Sequence, residues 1–271
     1  MTTKRLPLLL FLLTALVPGA PAAQYDLWLL AGQSNMDGRG KAKDLPAAER
    51  EAVPGVSIFY RNPLASSERF CPLAPGFSWP PGYRGKLPSE AFGPELSFAR
   101  ALRKGAPDVP LALIKGSRGG SSLRTDWRLG EPDQPKTQGE CYRCFVETWK
   151  LATAALAADG STFRLRGLLW HQGEADSGLS QADYLDLLTR FIARVRADVG
   201  RAELPVLIGE VYDNGKRDNV RAAQRQAAEA IPHTVFVSAA GLQTFDNGTH
   251  FDAASQVTLG ERFAAAALAL K

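Results

Sequence analysis

Six short apolar runs, separated by longer amphipathic stretches, constrain this chain more than any other feature. The runs are residues 25–31, 56–60, 110–114, 165–170, 206–211 and 235–238. They are nearly continuous in apolar residues rather than alternating, the pattern of strands covered on both faces. Between them, residues 95–104, 145–158, 181–199, 218–230 and 253–270 carry helical periodicity. In the third of these, Tyr184, Leu187, Leu188, Phe191, Ile192 and Val195 fall on one face. Strands that alternate with helices predict a parallel sheet with helices on both sides, a three-layer α/β/α architecture.

Length and composition set the outer limits. The 271 residues are 45% hydrophobic and 22% charged, ordinary values for a folded domain. The chain opens with Lys4 and Arg5, an apolar run over 6–17 and small residues up to Ala23. That is the pattern of a signal peptide, so residues 1–23 are expected to be removed and 24–271 to form a single domain, exported to the periplasm or secreted. Two of the four net positive charges belong to the leader, which has no acid, so the mature chain carries +2. A surplus that small, with no basic stripe, gives no reason to expect a nucleic-acid partner. No later apolar run is long enough to span a bilayer.

Cys141 and Cys144 have C-x-x-C spacing, and Cys71 stands alone. No further ligands lie within sequence reach, so no metal site is expected, nor any cofactor. In an oxidising compartment the expectation is one structural disulfide with one thiol left over. Residues 61–90 form a long proline-rich loop that includes Trp79 and Tyr83, aromatic rings suited to a sugar face.

The residues that carry chemistry cluster after the apolar runs. The first run leads into Gly32-Gln33-Ser34-Asn35-Met36, which places a serine on a tight turn at a helix start. The third leads into Gly119-Gly120-Ser121-Ser122, where paired glycines free backbone N–H groups for an anion. The fourth ends in Trp170-His171-Gln172-Gly173-Glu174-Ala175-Asp176. Here His171 is placed to face a site, Gln172 to offer its amide to an oxyanion, and Glu174 to orient a histidine or a neighbouring Arg. Of the three histidines, His250 lies on a loop directly before the last helix. Together these supply a nucleophile, oxyanion donors and a base.

The segments GQSNM, GGSSL, WHQGEAD and THFDAASQVTLGERFA, with Gly93-Pro94-Glu95, resemble the SGNH hydrolases. The branch they resemble is that of the sialate O-acetylesterases and acetyl-xylan esterases, carbohydrate esterase family six. The resemblance implies a flavodoxin-like parallel sheet of about five strands and an acetylated carbohydrate as substrate. It implies Ser34 as nucleophile and His250 as base, with the Ser34 and Gly120 N–H groups and the Gln172 amide as oxyanion hole. Trp79, Tyr83 and His171 would contact the substrate. One position departs from the pattern. Asn247 stands where the family usually has the Asp that orients the histidine, so that role falls to Asp246 or to Glu174.

Overall fold

The computed structural model describes residues 23–246 and 248–270. The expected leader, apart from Ala23, and Asn247 lie outside the described residues. Six strands build the central sheet: β1 (Gln24–Gly32), β2 (Val56–Asn62), β3 (Leu111–Ser117), β4 (Thr162–His171), β5 (Val206–Gly209) and β6 (Thr234–Val237). They are mutually parallel in the order 6-5-4-1-3-2. Without the edge strand β2, the remaining five follow the flavodoxin order. Two-residue antiparallel segments, Ala65–Ser66 and Cys71–Pro72, cover β2 from the long loop.

The missing alternation in the strands has a direct cause. Along β1, Leu27, Leu29 and Ala31 enter one core, while Trp28 and Leu30 enter the other. The first core is closed by helices α2 (Glu140–Ala158), α3 (Gln181–Asp198) and α4 (Asp218–Ala230). The second is closed by α1 (Glu95–Gly105) and α5 (Ala253–Leu268).

The start of one helix and one bond differ most from expectation. Helix α2 begins five residues earlier than its periodicity suggests, so both residues of the C-x-x-C pair sit in its first turns. Cys71, Cys141 and Cys144 are all free, and the expected disulfide is absent. Cys141 is packed in the first core. Cys144, also buried, borders a separate surface pocket with Arg61 and Glu147. Burial pushes the Cys141 thiol up to about 12 and raises that of Cys144 as well, so neither is a ready nucleophile.

Candidate active site

Three strand ends meet at one point. Gly32, the last residue of β1, pairs with Ser117 of β3 on one side and with His171 of β4 on the other. The sheet reverses its winding direction here, the place where open α/β sheets hold ligands. The backbone passes Gly32 with φ 147°, and a Cβ there would lie 2.0 Å from the His171 carbonyl oxygen, so only glycine fits. The chain then enters a single helical turn, Ser34–Asp37. Ser34 opens that turn with 2% of its surface exposed. Gly120, with φ 73°, lies in open space after β3. Among the described residues, no backbone acceptor takes the Ser34 or Gly120 N–H.

His250 is held from two directions. Asp246 Oδ2 lies 2.5 Å from His250 Nδ1, while Oδ1 accepts the backbone N–H of Thr249 at 3.0 Å and of His250 at 2.8 Å. One carboxylate thus closes the turn and orients the ring. Burial pushes the Asp246 carboxyl up, but the hydrogen bonds from His250 and Thr249 outweigh it and hold the group below its ordinary value. From the other side, Asn35 Nδ2 donates to the Thr249 carbonyl at 2.9 Å, and Asn35 Oδ1 accepts the Phe251 N–H at 3.0 Å. The residue after Ser34 therefore grips the backbone on both sides of His250. Glu174 supports this grip: its Oε1 accepts from Asn35 Nδ2 at 2.6 Å. It acts on Asn35 rather than on the His250 ring.

Two residues of the fourth strand end are placed otherwise than expected. The Gln172 side chain is fully buried, with its Nε2 among the Ser121 carbonyl at 3.1 Å, Asp176 Oδ2 at 2.6 Å and Gln33 Oε1 at 3.2 Å. An amide has two hydrogens, and three protein acceptors already surround this one, so none is left for an oxyanion. Gln172 is a structural hub, and Tyr184 and Gln224 fasten its carbonyl. His171 is likewise sealed in. Its Nε2 lies 3.0 Å from the Glu210 carbonyl and its ring packs against Phe251. It does not face a ligand. Burial lowers its pKa below the ordinary histidine value, which leaves the ring neutral.

Beneath the serine turn lies a buried charge network that sequence reasoning missed. Asp37 accepts from Tyr60, Ser117, Arg39, Ser78 and the Trp79 N–H. Lys115 Nζ, fully buried inside β3, bonds Glu95 at 2.8 Å together with the Asp37 and Phe77 carbonyls. The signal was present in the sequence, since a lysine inside an apolar strand must have a buried partner.

A cavity of about 630 Å³ opens beside His250, lined among others by Arg39, Lys41, Tyr83, Glu90 and Phe245. Tyr83, expected from the sequence to contact substrate, lines this cavity. Trp79 lines a neighbouring cavity of about 660 Å³ on the other side of the long loop, joined to Tyr83 by an edge-on ring contact. His250 lines the first of these cavities and not the second. Among the described residues, no group of three or more His, Cys, Asp and Glu is arranged to hold a metal ion. Nor is any helix there long and apolar enough to cross a membrane.

Comparison with known proteins places the chain in a family and matches its fold. A family model described as carbohydrate esterase, sialic acid-specific acetylesterase, matches residues 24–269. A probable carbohydrate esterase of Arabidopsis thaliana is 26% identical over 270 residues, covering 92% of each chain. An Arabidopsis crystal structure superposes with a TM-score of 0.72 at 23% identity, over 92% of this chain and 99% of that one. The structure of NanS gives 0.65 at 17% identity, over 92% and 98%. That of a carbohydrate acetylesterase from Xanthomonas citri gives 0.62 at 22%, over 89% of this chain and 55% of that one. At these identities the structural likenesses show the fold alone.

Proposed function

Since the chain belongs to the family of carbohydrate esterases described as sialic acid-specific acetylesterases, we propose that it removes O-acetyl groups from a carbohydrate through a serine acyl-enzyme. Ser34 Oγ attacks the acetyl carbonyl while His250 takes its proton. The oxyanion is met by the Ser34 and Gly120 N–H groups. The sugar alcohol leaves with the proton that His250 carries, and water then releases acetate from Ser34 by the same steps. The observation that carries this reading is the Asp246–His250 pair, 2.5 Å apart, on a loop that Asn35 clamps beside the serine. The departure at Asn247 leaves the histidine with a carboxylate one position upstream. The test is acetate release from a panel of acetylated glycans. Wild-type protein should release acetate and Ser34→Ala should not; a variant as active as wild type would remove Ser34 from the chemistry.

Export belongs to the same reading. Its support is the leader pattern over 1–23 together with the first strand and the family match, both of which start at Gln24. The N-terminus of the protein recovered outside the cytoplasm should lie near Gln24 by mass spectrometry; an intact Met1 on active material would contradict it.

A further inference from the structure

Phe245 is the one aromatic ring among the large apolar side chains that the described residues leave exposed, at 55%. The other three, Leu64, Leu151 and Leu268, are aliphatic. Phe245 is not on a loose tip. Its N–H donates to the His250 carbonyl at 3.1 Å, and the adjacent pair Thr244 and Phe251 forms a β-bridge. This closes the loop that carries His250 and fixes the two rings against each other, nearly parallel at 19° with centroids 5.9 Å apart. Both rings line the cavity of about 630 Å³, with Tyr83 and three prolines of the long loop as further apolar wall, and Lys41 and Glu90 at an exposed polar rim.

The chemistry says what must occupy that cavity. When the ester C–O bond breaks, the departing alcohol oxygen takes the proton that His250 drew from Ser34. The alcohol must therefore lie within hydrogen-bond reach of the imidazole. A ring flanking that imidazole on the cavity side borders the alcohol, not the acyl group. An aromatic face with polar groups at its rim suits the apolar C–H face and equatorial hydroxyls of a pyranose. We propose that Phe245 is the stacking platform for the sugar ring that carries the ester, and so a specificity-determining residue of the leaving-group subsite. This rests on the esterase reading above.

The test compares two kinds of acetyl ester in wild type, Phe245→Ala, Phe245→Leu and Phe245→Trp. Fully acetylated glucose, galactose and xylose present a pyranose; ethyl acetate has an alcohol too small to reach the ring. Phe245→Ala and Phe245→Leu should each lower kcat/KM for the sugar esters about 5-fold more than kcat/KM for ethyl acetate, the loss falling mainly on KM. Phe245→Trp should keep sugar-ester KM near the wild-type value. Leucine is the informative control, because it shields the Asp246–His250 pair as phenylalanine does but offers no ring face. Equal losses on both kinds of ester would mean that Phe245 acts through His250, and would overturn the proposal. No change on either would overturn it too, as would wild-type turnover of ethyl acetate with none of any sugar ester. Wild type inactive on every ester, ethyl acetate included, would instead remove the esterase reading and this proposal with it.

Discussion

Asp246 and Glu174 approach the same loop, yet they serve different atoms, and that difference is measurable. Asp246 meets the imidazole itself, so in the proposed mechanism its charge would bear on the imidazolium formed when His250 takes the serine proton. In a serine protease the corresponding Asp→Asn change costs about 10⁴ in kcat. Asp246→Asn is expected to lower kcat by about 10³- to 10⁴-fold with KM little changed; a loss below tenfold in steady-state kinetics would show that the charge is not used. Glu174 reaches His250 only through Asn35. Glu174→Gln keeps an oxygen to accept from Asn35 and should retain most activity. Glu174→Ala removes the support and should lower kcat by about 10²-fold, the scale of an ångström-sized misplacement. Equal losses in both variants would mean that the Glu174 charge, and not its position, is what matters. The sequence left Asp246 and Glu174 as alternatives because turn geometry decides between them, and that geometry depends on the Thr249 and His250 N–H groups both finding one carboxylate oxygen. It pointed the Gln172 amide toward an oxyanion, whereas that amide faces Ser121, Asp176 and Gln33, for a related reason. A side-chain amide at a strand end has no fixed direction until its neighbours are known, and here Asp176, four residues on, claims it.

Elements were more legible than contacts. Continuous apolar runs located all six parallel strands, because burial on both faces leaves no alternation to misread. The start of α2 was less legible: Glu140, Tyr142 and Arg143 follow a polar loop, and nothing local separates them from it. At this scale the Lys115–Glu95 pair ties β3 to the start of α1 below the serine turn, with both side chains fully buried. Removing one member strands the other charge without water. Lys115→Met is therefore expected to cost about 3–5 kcal/mol in urea unfolding. The double variant Lys115→Met with Glu95→Leu should recover much of that, since a hydrophobic pair of similar volume replaces a buried ion pair at little net cost. If the single variant unfolds like wild type, the pair contributes nothing to holding the turn.

For the molecule as a whole, the site arises where the strand ends converge. The sequence showed the convergence, because three motifs each follow a strand. It did not show which side chains at that convergence point inward, and His171 is the case with a consequence for the whole fold. The ring is entirely buried; Glu210 lends a carbonyl to Nε2, and Glu174 Oε1 stands 3.9 Å from Nδ1. Burial is the dominant influence and lowers the pKa from its ordinary 6.5, with Arg217 adding to the effect and Glu174 and the carbonyl bond opposing it. Above pH 6.5 both the native and the unfolded chain hold a neutral His171, and the residue has no effect on the pH dependence. Below 6.5 the unfolded chain takes a proton that the native chain refuses, so stability falls with pH until the lowered native pKa is reached. The slope over that window is at most about 1.4 kcal/mol per pH unit, the limit for one proton. The depressed carboxylates act elsewhere: Asp246 and Asp213 have an ordinary value of 3.8 and Glu210 of 4.5, and their contributions are present above those values and lost only as pH falls below them. Between pH 7 and pH 5 the fall in stability should therefore trace largely to His171. His171→Gln keeps a donor for the Glu210 carbonyl and cannot titrate. Unfolding in urea should show wild type losing stability between pH 7 and pH 5 while His171→Gln, less stable at pH 7, stays nearly flat. Parallel pH profiles for the two proteins would show that His171 titrates as freely in the native state as in the unfolded one, and would contradict its burial as a neutral ring.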